Sequence, residues 1–436
     1  MSLVESRIAS TIGEQVDPLP VAIIGAGPIG LAAAAHLAAR DRPFVVFEAG
    51  ATVGSSVLEW GHVRLFSPWR MLIDPVVADL LAPTGWVTPD ADALPTGREL
   101  VERMLEPLAA LPGIAPHIRV RTAVTAVTRR GMDRTRSTGR SDVPFVLRVR
   151  GDDGDVEFVA RAVIDASGTW RTPNTLGSSG LDPLGLERVR DRVSPALPDV
   201  LGRDRAAFAG GHIVVAGAGH SAANTLLALA ELARQEPGTR VSWLIRNRSA
   251  VRVTTAADDA LSARSALGSR VDRLVTDGRI RLVDGFEILR LEEDDERMRI
   301  VGYRNGLVED LVADRLVNAT GFRPALDLLR EIRLDLDEVV EAPRRLAPLI
   351  DPNVHTCGTV EPHGFAELRH PEADFFIAGM KSYGRAPTFL LATGFEQVRS
   401  IVAHLDGDAA AAREVRLSLP ATGVCSTGSA VEECCS

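Results

Sequence analysis

The sequence predicts an α/β protein made of two Rossmann-like, three-layer domains, each with a β-meander. A glycine-rich turn joins a short apolar strand to a helix near residue 25, and the same pattern returns near residue 217. Each pattern is followed by segments in which apolar and polar residues alternate, as they do in the strands of a meander. The chain has 436 residues, more than one hydrophobic core serves, so we expect two domains, with insertion of one into the other as one arrangement.

The first unit begins with the apolar run Val21–Ile24, which has the length of a buried parallel strand. A turn with G-x-G-x-x-G spacing follows, and then a predicted helix over residues 29–40. In this motif the glycines permit a tight turn, the approach of a pyrophosphate and close helix packing, while the helix N-terminus faces the phosphates. A glycine-rich turn without a nucleotide is the alternative. The residues that would contact the nucleotide are Gly25, Gly27, Pro28, Ile29 and Gly30.

An acidic residue completes the first unit. Glu48 follows the predicted strand Phe44–Phe47 and comes 23 residues after Gly25. A carboxylate at this position can accept hydrogen bonds from both ribose hydroxyls and would repel a 2′-phosphate. The first unit therefore favours a dinucleotide without a 2′-phosphate.

Between the two units, the pattern predicts a helix over residues 98–108 and then a meander. Its three strands are predicted at residues 118–129, 144–150 and 156–161, with turns at Gly131 and at residues 152–154. Another short buried strand, Ala162–Asp165, follows. Residues 169–211 are rich in Gly, Pro, Leu and Asp, and we interpret them as a long connection between domains.

The second unit repeats the first with one change of charge. A strand at His212–Ala216 leads into a G-x-G-x-S-A turn, a helix over residues 221–235 and a strand over residues 240–245. Where the first unit has Glu48, this one has Arg246 and Arg248, and an arginine pair there can bind a 2′-phosphate, which favours NADP. A solvated strand end is the alternative. The turn residues are Gly217, Gly219, His220, Ser221 and Ala222.

The rest of the chain is predicted to complete both domains. We expect polar helices up to about residue 276, a second meander over residues 279–312 and the strand Arg315–Asn318. A strand over residues 375–378 and a long helix over residues 387–404 follow.

Composition excludes several classes of function. The net charge of −9 argues against a nucleic-acid surface, and no apolar run approaches the roughly 20 residues that span a bilayer. The first 19 residues do not resemble a signal peptide and are expected to form a loose leader. Four cysteines give no disulfide framework, which favours a reducing, cytoplasmic location.

Three of the four cysteines, Cys425, Cys434 and Cys435, lie in the last 12 residues of the chain. Thiols on one tail could bind a thiophilic metal ion, or a vicinal pair could accept electrons. A disordered tail without a ligand is the alternative. Cys357 stands alone and is expected to be a small buried hydrophobe.

The two glycine units, D-A-S-G-T-W at residues 165–170 and A-T-G-F-R-P at residues 319–324 resemble flavoproteins with two dinucleotide-binding domains. Within that group, residues 20–405 are most similar to class B flavin-containing monooxygenases. The segment S-Y-G-R-A-P-T-F-L-L-A-T-G-F-E-Q-V-R, residues 382–399, and the cysteine-bearing tail also resemble flavin monooxygenases encoded beside arsenic-resistance genes.

The resemblance implies a cofactor for each unit. FAD would bind at the first turn, at Glu48 and through the backbone of Val124, and NADPH at the second turn and at Arg246. The NADPH domain (212–318) would be inserted in the FAD domain (20–170 and 319–408), with a connection at 171–211 and a tail at 409–436. Thr320 and Gly321 would lie where the domains meet. Gly379 and Met380 would approach the FAD, although related flavoproteins commonly carry an aspartate in place of Met380.

The family's chemistry suggests a catalytic segment. Residues 63–69, V-R-L-F-S-P-W, correspond to the segment that such monooxygenases place against the flavin ring. There NADPH reduces the flavin, oxygen adds at C4a, and the resulting peroxide must be shielded from water. We take Arg64, Ser67 and Trp69 as candidates for a cation, a donor and a wall, with simple packing beside the cofactor as the alternative.

Two features weaken the monooxygenase interpretation and leave other functions open. The family's F-x-G-x-x-x-H motif is absent, and Met380 stands where related flavoproteins commonly carry an aspartate. The C-x-x-C or C-x-x-x-x-C pair of a disulfide reductase is also absent, which argues against that class. The leading hypothesis is an NADPH-consuming monooxygenase that acts with molecular oxygen on a small soft nucleophile, a metalloid or an organic substrate. A thiol or metal reductase using the terminal cysteines and a non-enzymatic flavin- or metalloid-binding protein are the alternatives. The oligomeric state stays open, with a homodimer among the options.

Overall fold

Two parallel sheets and two antiparallel meanders form the framework of the computed structural model, which describes residues 18–247, 262–351, 362–386 and 389–417. The strands are β1 Val21–Ile24, β2 Phe44–Phe47, β3 Ile118–Arg119, β4 Ala123–Arg129, β5 Phe145–Gly151, β6 Gly154–Ala160, β7 Ala162–Asp165, β8 Val193–Ser194, β9 His212–Ala216, β10 Arg240–Leu244, β11 Arg281–Val283, β12 Phe286–Asp294, β13 Arg297–Arg304, β14 Leu307–Ala313, β15 Arg315–Asn318 and β16 Phe375–Ile377.

The helices lie between and beyond these strands. They are α1 Pro28–Ala38, α2 Ser55–Glu59, α3 Pro75–Leu81, α4 Gly97–Leu100, α5 Glu106–Ala109, α6 Arg205–Phe208, α7 His220–Gln235, α8 Ser262–Thr276, α9 Ala347–Ile350, α10 Phe365–Leu368, α11 Leu391–Leu405 and α12 Ala409–Arg413. A π-helical turn, Val101–Leu105, joins α4 to α5. In the described part of the chain, no helix is long and apolar enough to cross a membrane.

The first sheet has the strand order β16-β7-β1-β2-β3, and all its pairs are parallel. Strand β1 lies at its centre, and all four of its residues are buried because both faces of the sheet are covered. Helices α1 and α11 cover one face and pack against each other. The meander β4–β6 covers the other face, where Phe145 and Leu147 share a core with Ala22 and Ile24. These are the three layers that the sequence predicts.

The second sheet repeats this plan with the order β11-β10-β9-β15-β8. Helix α7 packs on one face, where Leu226 and Leu229 meet Val215. The meander β12–β14 packs on the other face, where Phe286 and Ile300 share a core with the second sheet. The chain leaves the first sheet after β7, builds the second sheet and returns to the first with β16.

One predicted meander strand and the predicted start of the second meander are wrong for the same reason, since each includes a strand of a parallel sheet. The segment 118–129, predicted as one meander strand, divides into β3, which joins the first parallel sheet, and β4, which begins the meander. The break falls at Arg121, where φ is +50°. The second meander likewise begins only at Phe286, because β11 joins the second parallel sheet and Gly285 turns the chain at φ +62°.

Residues 171–211, predicted as a connection, contribute to the second sheet. Strand β8 pairs with β15 at its edge, and a 3₁₀ helix, Leu186–Arg192, precedes β8. Helix α3 is absent from the sequence-based prediction. Its start is a recognisable signal, since Asp74 caps the helix by accepting from the amides of Val76 and Val77 while Pro75 occupies the first turn.

Candidate active site

The first glycine turn is packed tightly on one side and open on the other. A Cβ at Gly30 would lie 1.9 Å from the Gly25 carbonyl oxygen, and one at Gly25, where φ is +98°, would lie 2.8 Å from the Ala166 oxygen. Both positions therefore require glycine. A Cβ at Gly27 would meet no described atom within 4 Å. The backbone at Gly27 is thus open to a ligand, which is the condition that a pyrophosphate needs.

Helix α1 presents its N-terminus to this open space. Gly27 is its N-cap and offers no side-chain cap, and Pro28 lies in the first turn. The amides of the first turn can therefore bind phosphate oxygens. Ile29 holds the helix start in place, because Gly379 and Gly394 pack on it so closely that a Cβ at either would come within 3.0 Å and 2.4 Å of its side chain.

Glu48 is tied to the glycine turn at the end of β2. Its Oε2 accepts a hydrogen bond from the Ala26 amide at 2.8 Å, and its Oε1 accepts one from the Gly50 amide at 2.7 Å. The side chain is buried, with 9% of the residue exposed. Each carboxylate oxygen keeps a second lone pair that can accept from a ribose hydroxyl. The residue present therefore fits the predicted ribose contact.

The second glycine turn has the same division between a packed and an open glycine. A Cβ at Gly217, where φ is +129°, would lie 2.1 Å from the Ala319 oxygen, whereas one at Gly219 would meet no described atom within 4 Å. Gly219 is also the uncapped N-cap of α7, whose first residues are His220, Ser221 and Ala222. The side chain of Ala222 is fully buried, so an alanine is accommodated where the first turn has Gly30.

The end of β10 supports this second turn. Trp243, which is buried, donates from Nε1 to the Gly217 oxygen at 2.6 Å. Arg246 follows β10 and is exposed, and its guanidinium donates to the Ser178 oxygen at 3.2 Å. An exposed arginine at this edge has donors left for a phosphate. Arg248 lies outside the described residues.

Matching turns follow β7 and β15, the strands beside the two glycine turns. Asp165 Oδ1 accepts from the amide and hydroxyl of Ser167 at 3.1 Å and 2.6 Å. Asn318 Oδ1 accepts from the amide and hydroxyl of Thr320 at 3.2 Å and 2.6 Å. Gly321 follows with φ +99°. Thr320 and Gly321, predicted at the domain junction, thus belong to a turn that has a counterpart in the first half.

The segment 63–69 contacts the second glycine unit. The ring centroids of Phe66 and His220 lie 5.4 Å apart, so this segment reaches the start of α7. Arg64 is exposed; its guanidinium donates to the Leu94 oxygen and lies 3.9 Å from Glu99. The structure therefore brings the predicted segment to the second unit, with Phe66 rather than Arg64 making the contact with α7.

The other two candidates in this segment are buried. Ser67 is 7% exposed, and Trp69 is 1% exposed and packs in the core of the first domain. The Arg103 guanidinium lies 5.7 Å from the centre of the Trp69 ring. Trp69 therefore makes the packing contacts that were the alternative interpretation. Catalytic roles for Arg64, Ser67 and Trp69 stay predictions.

The remaining predicted contacts lie near the first turn or over its sheet. Val124 is half-buried at the start of β4, where a bulge follows its pairing with Val149. Gly379, with φ +71°, begins a 3₁₀ helix, Gly379–Tyr383, and its amide donates to Gln397 at 2.8 Å. Met380, half-buried, is the next residue. Contacts of these residues with FAD stay predictions.

Sequence reasoning missed a buried ion pair beside these residues. Lys381 Nζ lies 2.7 Å from Asp165 Oδ2, and both side chains are fully buried. The signal was present in the sequence, since Lys381 is the only lysine of the chain. The pairing itself joins positions 216 residues apart and could not be inferred from spacing.

A second missed contact joins His62, which precedes the segment 63–69, to the segment 171–211 that was predicted as a connection. His62 hydrogen-bonds with the backbone of Pro198 and lies near Asp199, Arg203 and Asp204. Burial lowers the pKa of His62, outweighing the two carboxylates, which raise it. The pKa of His62 therefore lies below its usual value, and its exposed ring hydrogen-bonds beside residues 198–204.

The predicted metal site cannot be placed. Cys425, Cys434, Cys435 and Cys357 all lie outside the described residues. Among the residues that the structure describes, no group of three or more His, Cys, Asp or Glu side chains could hold a metal ion.

Two parallel sheets, each with a glycine turn open to a pyrophosphate, define a flavoprotein with two dinucleotide-binding domains. The chain matches the pyridine nucleotide-disulphide oxidoreductase family over residues 19–371 and belongs to that family. Membership confirms the predicted flavin-dependent redox role and the predicted cofactors, FAD and NADPH. No curated protein sequence matches the chain.

Solved structures of both reductases and monooxygenases share the fold. Bacillithiol disulfide reductase from Bacillus cereus is 19% identical, with a TM-score of 0.62 over 90% of this chain and 100% of that chain. Ornithine N-hydroxylase from Kutzneria sp. 744 is 18% identical, with a TM-score of 0.61 over 90% and 100%. A mutant flavin monooxygenase from Stenotrophomonas maltophilia is 22% identical, with a TM-score of 0.57 over 91% and 100%.

Proposed function

We propose that the protein is an FAD-dependent, NADPH-consuming monooxygenase. The observation that carries this proposal is the absence of cysteine from residues 1–356, which include the first glycine turn, the segment 63–69 and the second glycine turn. Residues 1–356 therefore supply no cysteine pair that could take electrons from a reduced flavin. In this proposal molecular oxygen takes them instead.

The proposal assigns one cofactor to each domain. FAD binds to the first domain (20–170 and 319–408), where the Glu48 carboxylate faces an unphosphorylated ribose. NADPH binds to the second domain (212–318), where Arg246 pairs with the 2′-phosphate. The opposite charges of Glu48 and Arg246 direct each cofactor to its own turn. Strand β8 makes part of the 171–211 connection an edge of the second sheet.

The bound flavin supplies the redox chemistry, since it can accept a hydride from NADPH and then react with oxygen. The residues of the chain bind and orient the two cofactors and shield the flavin from water. The open backbones at Gly27 and Gly219 let the two pyrophosphates approach helices α1 and α7. Phe66 contacts His220 at the start of α7, and in this proposal its ring helps to exclude water from the space between the cofactors.

The substrate class that we propose is a small soft nucleophile. The likeness of residues 382–399 to flavin monooxygenases encoded beside arsenic-resistance genes makes trivalent arsenic compounds the first substrates to test, beside thioethers and amines. The cysteine pattern supports a reducing, cytoplasmic setting for this reaction. A small-molecule substrate and molecular oxygen are then the partners of the enzyme.

Oxygen consumption tests the proposal. With FAD-loaded protein and NADPH, a substrate of the correct class should raise the rates of oxygen and NADPH consumption together and yield one oxygenated product per NADPH. If no substrate in the panel changes either rate and all oxygen is recovered as hydrogen peroxide, the monooxygenase assignment is wrong.

One sequence feature favours a second candidate function, an NADPH-dependent thiol or metal reductase. Cys434 and Cys435 are adjacent, and a vicinal pair on a terminal segment could carry electrons from the flavin to an external acceptor. A Cys434→Ser, Cys435→Ser variant should then lose reduction of disulfides and metal ions while flavin reduction by NADPH is unchanged. Full reductase activity in this variant would exclude the mechanism. A protein that holds FAD and never oxidises NADPH would contradict both proposals.

A further inference from the structure

The single lysine of the chain lies at the first glycine turn rather than on the surface. Lys381 is in the 3₁₀ helix Gly379–Tyr383, and its Nζ lies 2.7 Å from Asp165 Oδ2 and 3.1 Å from Ser167 Oγ. Both charged side chains have no exposed surface. Lysine is rarely buried so completely unless it is paired. The proposed mechanism of the enzyme does not use this pair.

The ion pair lies directly behind the glycine turn. Asp165 is the last residue of β7 and is the register partner of Ile24, which precedes Gly25. The neighbours of Asp165 form the wall of the turn, because a Cβ on Gly25 would lie 2.8 Å from the Ala166 oxygen and 3.0 Å from the Cα of Ser167. Asp165 therefore carries its charge just behind the packed side of the turn.

The second glycine turn shows that the local structure does not need a charge. Asn318 is the register partner of Ala216, which precedes Gly217, and its Oδ1 accepts from Thr320 as Asp165 Oδ1 accepts from Ser167. The amide nitrogen of the Asn318 side chain, Nδ2, donates to the backbone oxygen of Asn174 at 2.9 Å. A neutral amide thus forms the same turn. Only the first half combines a buried carboxylate with a buried ammonium group at this position.

An uncompensated carboxylate here would oppose cofactor binding. A pyrophosphate carries negative charge, and a buried carboxylate nearby is screened much less than a surface one. The ammonium group of Lys381 cancels that charge and also links the end of β7 to the segment that follows β16. The same segment begins with Gly379, which packs on Ile29 in the first turn of α1.

We propose that Lys381 is a positioning residue for the dinucleotide at the first glycine turn, because it cancels the charge of Asp165 behind the pyrophosphate. This inference rests on the proposal that FAD binds at that turn. Lys381 itself does not touch the reacting atoms. Its effect is on the affinity for FAD. Asn318, the counterpart of Asp165 in the second turn, indicates that Asp165→Asn should make Lys381 unnecessary.

FAD titration of the apoprotein tests the inference with three variants. In Lys381→Met, the Kd for FAD should rise at least about tenfold, because the buried carboxylate then lacks its partner. In the double variant Lys381→Met, Asp165→Asn, which copies the second turn, the Kd should return to within about threefold of wild type. In Lys381→Gln the side chain can still hydrogen-bond to Asp165, which helps the variant to fold. The negative charge of Asp165 is then not cancelled, so the Kd for FAD should rise as in Lys381→Met.

A matched control separates the loss of charge from loss of stability. Arg140 forms another buried ion pair in the first domain, with Glu372 at 2.8 Å, and Glu372 has Arg129 as a second partner at 2.8 Å. Arg140→Met should lower the unfolding temperature and leave the Kd for FAD within about twofold of wild type. A Lys381→Gln protein with wild-type affinity, or a double variant as weak as Lys381→Met, would overturn the inference. Wild-type protein that binds no FAD would instead overturn the proposed function.

Discussion

The rings of Trp170 and Phe322 lie 4.9 Å apart where the chain passes between the two sheets. Trp170 follows β7 of the first sheet, and Phe322 follows β15 of the second. The two crossing segments are joined by backbone hydrogen bonds, including one from the Asn174 amide to the Gly321 oxygen at 2.9 Å. Glu59 fixes this junction to α2, because its carboxylate accepts from Trp170 Nε1 at 2.7 Å. The junction therefore sets how the two units face each other.

Replacing Trp170 should slow electron transfer without loss of FAD. In Trp170→Leu the ring contact with Phe322 and the hydrogen bond to Glu59 are lost, so the nicotinamide and flavin are held less well. We expect the anaerobic rate of flavin reduction at saturating NADPH to fall roughly tenfold, since small misplacements of reacting groups have large effects. Stopped-flow absorbance measures this rate.

The control for this prediction is Trp86→Leu. Trp86 is half-buried and donates to the Arg103 oxygen, away from the crossing segments. Its replacement should leave the reduction rate unchanged. Equal rates in Trp170→Leu and the wild-type protein would show that the junction does not control the approach of the cofactors.

Alanine at either open glycine, Gly27 or Gly219, should weaken cofactor binding without lowering the stability of the apoprotein. A Cβ at Gly27 or Gly219 meets no described atom, so Gly27→Ala and Gly219→Ala should leave the unfolding temperature of the apoprotein nearly unchanged. The added methyl group would occupy the space that a pyrophosphate needs. Gly27→Ala should therefore weaken FAD binding, and Gly219→Ala should raise the KM for NADPH while FAD content stays normal. Calorimetry and cofactor titration of both variants provide the measurement.

The packed glycine Gly30 is the comparison for these two variants. A Cβ there would lie 1.9 Å from a backbone oxygen, so Gly30→Ala should destabilise the apoprotein itself. If Gly27→Ala binds FAD as the wild-type protein does, the first turn is not the FAD site.

Arg246 should determine the choice between NADPH and NADH. Its removal in Arg246→Ala takes away charge-assisted hydrogen bonds to the 2′-phosphate, and the KM for NADPH should rise about tenfold or more. The KM for NADH, which lacks this phosphate, should change little. Steady-state kinetics with both cofactors measures the difference. Arg240→Ala is the control, because Arg240 is exposed at the opposite end of β10 and should not affect either KM. An equal effect of Arg246→Ala on the KM for NADPH and for NADH would contradict the assignment of Arg246 to the 2′-phosphate.

The local parts of the site could be predicted from the sequence, because strand, turn, helix and acid follow one another within a few tens of residues. Glu48 and both glycine turns lie where spacing predicts them. The contacts that join distant segments could not be predicted. The approach of Phe66 to His220 and the pairing of Lys381 with Asp165 depend on how the sheets pack. Trp69 shows the same limit, since an aromatic residue beside a predicted cofactor can equally fill the core.

Stability should fall in mild acid because of His370. Burial lowers the pKa of His370 from 6.5 to about 4, and its Nδ1 accepts from the Asp335 amide at 3.2 Å. Between pH 6.5 and 4 the unfolded chain binds a proton there and the folded chain does not, so stability declines as the pH falls through this window. The shift corresponds to at most about 3 to 4 kcal/mol.

Unfolding temperatures at pH 7 and pH 4.5 test this prediction. His370→Asn keeps an acceptor for the Asp335 amide and should lose less stability between the two pH values than the wild-type protein. His117→Asn, at an exposed histidine, should behave as wild type. The same acid sensitivity in His370→Asn and wild type would assign the effect to other groups.

Anaerobic reduction followed by oxygen tests the central proposal most directly. FAD-loaded protein is reduced by one equivalent of NADPH without oxygen, and oxygenated buffer with or without a soft nucleophile is then mixed in while absorbance is followed. The proposal predicts rapid flavin reduction, a transient absorbing species distinct from oxidised flavin, and its faster decay to oxidised flavin with formation of oxygenated product when substrate is present. Direct return to oxidised flavin at one rate, with stoichiometric hydrogen peroxide whether or not substrate is present, would contradict it.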